Sequence, residues 1–174
     1  TGQAPVADTG GTVGHIVNAS NVGYGLEFVG NAGNNRFTGT AFADRFDGGA
    51  GGDRMIGGAG NDVYAVDSTS DVVTESSTTG GTDTVHASIG YTLPARVENL
   101  VLTGSLGLAG TGNSLANTIT GNAGNNTLAG AGGADTLAGG PGNDTLDGGT
   151  GTNIAVYSGL RAAYRVAPGS SGSL

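Results

Sequence analysis

The residues best suited to do chemistry in this sequence are oxygen-bearing side chains that return every nine residues. Residues 48–56, 57–65 and 139–147 read GGAGGDRMI, GGAGNDVYA and GGPGNDTLD. Each unit has Gly at positions 1, 2 and 4, Asp at position 6 and an apolar residue at position 8. Carboxylate oxygens and glycine-turn carbonyls are hard donors of the kind that Ca²⁺ prefers. The elements that position these oxygens therefore decide what they can bind.

The nine-residue frame extends over two blocks. It runs unbroken through 30–65 and again through 112–156, and it persists faintly in 66–74, where Asp71 keeps position 6. A flexible glycine linker would not keep this phase, so the repeat indicates a folded solenoid. The position-6 residues of the frame, our candidate metal ligands, are Asn35, Asp44, Asp53, Asp62, Asp71, Asn117, Asn126, Asp135, Asp144 and Asn153.

Each unit predicts a glycine-rich turn of six residues followed by a strand of three. Side chains alternate faces along a strand, so position 8 points to one side and positions 7 and 9 to the other. So short a strand must stack on its neighbours, and two units in each coil would give an 18-residue repeat with two facing sheets. The predicted core column is Phe37, Phe46, Met55, Tyr64, Val73, Ile119, Leu128, Leu137, Leu146 and Ala155.

Stacking creates an electrostatic problem at position 6. An 18-residue coil places Asp44 over Asp62 and Asp53 over Asp71 at the strand spacing of about 4.8 Å, where carboxylates repel. The chain has no Lys and no Cys, and its two His residues, His15 and His86, lie outside the repeats. A divalent cation would relieve the repulsion, and oxygen ligands without Cys or His favour Ca²⁺ over Zn²⁺ or Cu²⁺. We therefore expect several bound Ca²⁺ ions.

The units resemble the glycine-rich nonapeptide GGxGxDxUx of the repeats-in-toxin (RTX), or hemolysin-type calcium-binding, family. The resemblance implies an all-β, right-handed parallel β-roll with Ca²⁺ between stacked turns. It also implies type I secretion from a Gram-negative bacterium, with folding outside the cell. The ligands would be the position-6 side chains together with backbone carbonyls near Gly49, Gly51, Gly58, Gly60, Gly140 and Gly142.

The frame also predicts the organisation of the chain. A first repeat block covers 30–74 and a second covers 112–156. They are joined by a bridge of strands and turns, 75–111, in which Asp83 and Val85 resume the position-6 and position-8 relation after a slip of three residues. Residues 1–29 are interpreted as an N-terminal flank and 157–174 as a capping strand and tail.

Composition excludes several functional classes. The net charge is −8 at pH 7, with six basic residues and a pI near 4.3, which argues against nucleic-acid binding. Apolar runs fall short of the ~20 residues of a membrane-spanning helix. The sequence has no nucleophile elbow and no HExxH motif, and its acidic residues follow a repeat instead of facing each other across a cleft. We expect no enzymatic activity.

The sequence therefore predicts a calcium-binding module of a secreted protein, at the cell surface or outside the cell, with a structural or adhesive role. One alternative is the C-terminal accessory or secretion module of a secreted hydrolase or polysaccharide-modifying enzyme. Another is a glycan-binding or ice-binding face made by the outward position-7 residues Thr118, Thr127, Thr136 and Thr145. Partners beyond Ca²⁺ would then be a surface glycan or other domains of the parent protein.

Simpler interpretations stay open for individual residues. The position-6 side chains could only cap their turns by accepting backbone N–H groups. His15 and His86 are expected to have surface or spacer roles. Tyr64 and Tyr157 are expected to pack at block ends. A further group follows the strands and is expected to be solvated: Asp47, Asp67 and Asp147.

Overall fold

A computed structural model describes residues 11–76 and 80–157, and in these ranges it contains strands and turns without a helix. The chain divides into two compact units, 1–86 and 87–174. The first unit holds β1 (Ile16–Asn18), β2 (Glu27–Val29), β3 (Arg36–Thr38), β4 (Arg45–Asp47), β5 (Arg54–Ile56), β6 (Val63–Val66), β7 (Val72–Thr74) and β8 (Thr84–Ala87), which ends just past the boundary. Its sheets have the orders β1-β3-β5-β7 and β2-β4-β6-β8.

The second unit repeats this plan. It holds β9 (Tyr91–Thr92), β10 (Asn99–Leu102), β11 (Ala109–Thr111), β12 (Thr118–Thr120), β13 (Thr127–Ala129), β14 (Thr136–Ala138), β15 (Thr145–Asp147) and β16 (Ile154–Val156). Odd and even strands again form separate sheets, in the orders β9-β11-β13-β15 and β10-β12-β14-β16. Alternation of consecutive strands between two sheets is the pattern of a parallel β-solenoid, which confirms the predicted fold class.

The register of the strands confirms the 18-residue coil. Phe28 pairs with Phe46 and Phe46 with Tyr64, each 18 residues further along the chain and parallel. The second block keeps the same interval, with Leu128 opposite Leu146. The coil lengthens where the glycine frame is lost: Leu100 lies opposite Ile119, 19 residues on.

The position-8 column forms the core. Phe46, Met55 and Tyr64 are fully buried, because an inward side chain of each short strand stacks on its counterpart in the next coil. The rings of Phe28, Phe46 and Tyr64 lie nearly parallel, with centroids 4.7 and 5.0 Å apart. These distances match the spacing of adjacent strands. Leu146 is half-buried and Ala155 is exposed in the last described coil.

Strands also occur outside the two predicted blocks. β1 and β2 lie within the predicted N-terminal flank, where Phe28 is buried although its unit, residues 21–29, has no Asp at position 6. Strands β8 to β11 lie in the predicted bridge, so each unit has strands of the same kind within 80–111. Most of the predicted capping strand and tail, 158–174, lies outside the described residues.

No helix within 11–76 and 80–157 is long and apolar enough to cross a membrane.

Candidate metal centre

The position-6 side chains form a regular ladder along the turn edges. At every position-6 aspartate and at Asn153, Oδ1 accepts the backbone N–H of the residue 18 positions earlier. Oδ1 of Asn117 and of Asn126 instead accepts the N–H of position 2 in its own turn. Asp44 N–H donates to Asp62 Oδ1 at 2.7 Å, and Asn35 N–H donates to Asp53 Oδ1 at 2.6 Å. The second unit repeats the bond from Asn117 to Asp135 at 2.8 Å. One oxygen of each position-6 aspartate is therefore committed to capping the neighbouring turn, as the simpler interpretation expects.

The second carboxylate oxygen separates the aspartates into two groups. Asp53, Asp62 and Asp135 are buried, and Oδ2 of each has no hydrogen-bond partner. By contrast, Asp44 Oδ2 accepts the Thr40 N–H at 2.6 Å. Asp71 Oδ2 accepts the Ser68 N–H at 3.1 Å. A buried carboxylate oxygen without a partner is costly, so the first group leaves oxygens that a cation would satisfy.

Glycine at position 1 makes room for these oxygens. A methyl group added at Gly48 would overlap Asp53 Oδ2, and one added at Gly130 would overlap Asp135 Oδ2. The position-6 carboxylate thus bends back over the first residue of its own turn. A methyl group at Gly130 would also lie 2.6 Å from the carbonyl oxygen of Gly148, so a carboxylate oxygen and a carbonyl oxygen meet there, as in the donor set of Ca²⁺.

The turn glycines bring successive turns into close contact. All six glycines near which carbonyl ligands were predicted have positive φ, for example 122° at Gly58 and 132° at Gly142. A methyl group at Gly58 would lie 2.6 Å from the carbonyl oxygen of Thr40, and one at Gly142 would lie 2.6 Å from that of Gly124. Carbonyl oxygens of one coil therefore face the turn of the next.

Turns with Asn at position 6 are arranged differently where they also have Asn at position 2. The Asn122 amide donates to the carbonyl oxygens of Thr103 and Leu106, both at 2.9 Å. The Asn126 amide donates to Asn122 Oδ1 at 3.0 Å. Asn35 likewise donates its amide to the Gly48 carbonyl at 2.9 Å. Side-chain N–H groups here bind oxygens that would otherwise face a cation.

A cluster of three buried carboxylates lies where the glycine frame ends. Asp62, Glu75 and Asp83 each offer an oxygen within 4.8 Å of the others. Asp62 N–H donates to Asp83 Oδ1 at 2.8 Å. The Tyr64 hydroxyl donates to Glu75 Oε1, and Gly58 N–H donates to Glu75 Oε2 at 3.2 Å. We name this group the tricarboxylate cluster.

The tricarboxylate cluster is electrostatically unfavourable without a cation. Burial raises the pKa of Asp62 to about 7, and the charges of Glu75, Asp44 and Asp83 contribute to this rise against the lowering effect of the Asp44 N–H. Burial, and then the bond to Glu75, also raise the pKa of Tyr64. The arrangement therefore favours either protons or a positive ion between the carboxylates.

Comparison with known families identifies the repeats. A model described as the RTX calcium-binding nonapeptide repeat, in four copies, matches residues 29–64, 111–146 and 120–155. The two matched blocks, 29–64 and 111–155, belong to the RTX family. The family binds calcium, in agreement with the oxygen-lined turns. Comparison with curated proteins and with solved structures gave no match.

The structure also places most of the other residues that the sequence singles out. His86 is exposed on β8. Asp47 and Asp147 are exposed, and each caps its own following turn by accepting a glycine N–H. The threonine column divides between two sheets, since Thr118 pairs with Thr136 and Thr127 pairs with Thr145. Tyr64 is a core residue whose hydroxyl reaches the tricarboxylate cluster.

Sequence reasoning did not select Glu75 or the position-2 asparagines. Glu75 occupies the place where the frame would put the first glycine of a further RTX unit, and this replacement was the available signal. Asp83 was noticed from the three-residue slip but was not included among the metal ligands. The joint occurrence of Asn at positions 2 and 6, as in Asn122 and Asn126, was a second usable signal.

Proposed function

We propose that this chain is a calcium-dependent folding module of a secreted bacterial protein and that it orders in calcium-rich surroundings outside the cell. The observation that carries the proposal is the set of buried, unpartnered Oδ2 atoms of Asp53, Asp62 and Asp135. Because stacking of the coils buries each of these oxygens, calcium binding and folding are linked, and the binding free energy contributes to the folding free energy.

Charge supports this proposal. The chain carries −8 at pH 7, and Asp carboxylates recur along the turn edges at the spacing of adjacent coils. Arg45 is exposed and its Nε lies 3.5 Å from Glu27 Oε1, on the outer face of the strands. Divalent cations at the turns would offset carboxylate repulsion in the turns, whereas Arg45 is paired with Glu27.

The two kinds of turn refine the proposal. Turns with Asp at position 6, such as those of Asp53 and Asp135, would take Ca²⁺. In turns with Asn at positions 2 and 6, such as that of Asn122 and Asn126, the side-chain amides donate hydrogen bonds to oxygen atoms. These turns would need no ion. The number of ions would then be smaller than the number of repeats, and folding would be partly independent of calcium in the asparagine turns.

The test is far-UV circular dichroism and calcium calorimetry on chelator-treated protein, with Mg²⁺ as the cation control. We expect Ca²⁺ to increase the β signal and the melting temperature, and Mg²⁺ to do so much less. Asp135→Asn should remove a bound ion, whereas Asp147→Asn, at an exposed position that keeps its Oδ1 cap, should not. The proposal would be refuted if the protein were fully folded in chelator and calorimetry detected no heat of Ca²⁺ binding.

For biological purpose we propose a structural or adhesive role outside the cell, without catalysis by this chain. The proposal is supported by the oxygen-lined turns, which serve ion binding, and by the lack of recognisable catalytic motifs in the sequence. Turnover of ester, peptide or glycoside substrates by the purified chain, abolished by a point substitution in it, would contradict this assignment.

A further inference from the structure

We propose that Asp62, Glu75 and Asp83 form a separate high-charge calcium site that the nonapeptide motif does not encode. Only Asp62 belongs to the RTX match, which ends at residue 64 in this part of the chain. Glu75 and Asp83 come from the segment that follows. The inference rests on the proposed function only for the choice of Ca²⁺ as the cation.

The geometry suits one ion. The three donor oxygens lie within 4.8 Å of one another. Ca²⁺ binds oxygens at about 2.3–2.6 Å, so two ligands on opposite sides of an ion are separated by about 5 Å at most. One Ca²⁺ could therefore contact all three carboxylates with little movement of the side chains. The exposed fractions of Asp62, Glu75 and Asp83 are 0%, 5% and 1%, so bulk water solvates these carboxylates poorly.

An independent observation points to a ligand at this place. Asp62 Oδ2 is completely buried and has no hydrogen-bond partner. It faces the space over Gly57, where an added methyl group would overlap Asp62 Oδ2, Glu75 Oε1 and the Tyr64 hydroxyl. Gly57 therefore keeps open a small volume bounded by three oxygen atoms from different parts of the coil.

The anchoring bonds show how the loop after β7 completes the site. Asp83 Oδ1 accepts the Asp62 N–H, 21 residues earlier, in place of the usual 18. The additional three residues lengthen this coil. Within it, Glu75 Oε2 accepts the Gly58 N–H of the preceding coil. The chain thus replaces a glycine turn with an additional acidic ligand and keeps the position-6 ladder intact.

Ligand charge predicts the order of filling. Turns of the second block pair one Asp with one Asn, for example Asp135 with Asn153, whose Oδ1 accepts the Asp135 N–H at 2.9 Å. The tricarboxylate cluster offers three carboxylates. Because calcium affinity rises with ligand charge and site rigidity, this site should be the first to bind as calcium increases.

The experiment uses the whole chain with Ca²⁺ calorimetry and Tb³⁺ luminescence. Tb³⁺ replaces Ca²⁺ at oxygen sites and emits when a tyrosine close by absorbs light, and Tyr64 contacts Glu75 directly. Glu75→Gln keeps the side-chain shape and removes one charge. Glu27→Gln is the matched control, because Glu27 is exposed on β2. Tyr64→Phe removes the sensitiser and leaves the three carboxylates.

We expect Glu75→Gln to weaken the tightest calcium step by about tenfold or more and to remove most tyrosine-sensitised emission. Tyr64→Phe should lose most of the emission but keep the full number of Ca²⁺ ions, and Glu27→Gln should match the wild type. If Glu75→Gln does not fold, Asp83→Asn serves instead, because it keeps the Oδ1 acceptor for the Asp62 N–H.

Two results would overturn the inference in different ways. If the wild type binds several Ca²⁺ ions and the Glu75 or Asp83 variant keeps the tightest step and the emission, this site is absent while the proposed function survives. If the wild type binds no Ca²⁺ and chelator does not change its circular dichroism, the proposed function and this inference are both wrong.

Discussion

Replacing Asp62 by asparagine should have opposite effects on stability with and without calcium. The substituted side chain would keep the Oδ1 acceptor for the Asp44 N–H and would lose the carboxylate charge. In calcium-free buffer at pH 8, the ionised wild-type Asp62 lies buried beside Glu75 and Asp83. We therefore expect the calcium-free variant to be more stable than the wild type. In saturating Ca²⁺ we expect it to be less stable, because a charged ligand is missing.

The magnitude follows from the pKa of Asp62, which burial raises from an ordinary 3.8 to about 7. At about 1.4 kcal/mol per pH unit, this change corresponds to about 4 kcal/mol as an upper estimate. The folded chain binds the proton more tightly than the unfolded chain. Its contribution is thus fully present below pH 3.8, falls as pH rises and is lost above about pH 7. The advantage of Asp62→Asn should grow across this interval.

Urea unfolding followed by circular dichroism, in metal-free buffers from about pH 4 to about pH 8, measures this effect. Burial also raises the pKa of Asp53, so the wild type should lose stability with pH in the same direction. The difference between wild type and Asp62→Asn is therefore the diagnostic quantity, and Asp147→Asn is the exposed control. The reasoning would be refuted if Asp62→Asn were no more stable than the wild type in chelator at pH 8.

Three further changes have expected outcomes. The double variant Asn122→Gly/Asn126→Asp should convert an amide-held turn to an ion-binding one and add one Ca²⁺ in calorimetry; an unchanged number would contradict the distinction between turns. Ala131 has φ 71°, so Ala131→Gly should raise the free energy of unfolding by about 0.5–1 kcal/mol, whereas Ala123→Gly, without positive φ, should lower it in the same urea titration. Gly58→Ala would place a methyl group 2.6 Å from the Thr40 carbonyl oxygen at φ 122° and should cost at least about 2 kcal/mol; a wild-type melting curve would disprove that contact.

The repeat frame was sufficient to predict the coil. Phase alone gave the 18-residue interval and the core column, because a three-residue strand has one inward position and must stack. Phe46 over Tyr64 and Asp44 over Asp62 follow directly from that interval. The same reasoning failed to mark residues 16–18 and 27–29 as strands, because glycine and Asp were used to recognise the frame while burial of Phe28 requires only position 8.

The tricarboxylate cluster could not be read from the frame, because it depends on a change in coil length. Asp83 reaches Asp62 only because the chain between β7 and β8 takes three additional residues, and sequence spacing does not say where those residues turn. The sequence also does not show which Oδ2 atoms lack a partner, because Asp53 and Asp44 occupy the same repeat position. Thr40, at position 2, donates its backbone N–H to the second oxygen of Asp44, whereas Asp53 Oδ2 has no such donor.

The ladder of position-6 side chains gives the solenoid a direction. Asn153 Oδ1 accepts the Asp135 N–H, so the coil of Asp135 depends on a side chain supplied by the coil that follows it. Shortening the chain from its C-terminal side would strip the acceptor from a buried amide in the last surviving coil. Shortening it from the other side would leave the position-6 acceptor in place, but it would remove backbone acceptors such as the Asp44 carbonyl, to which the Val63 N–H donates. A cut at either side therefore leaves backbone amides without acceptors, and only a cut on the C-terminal side also removes a side-chain acceptor.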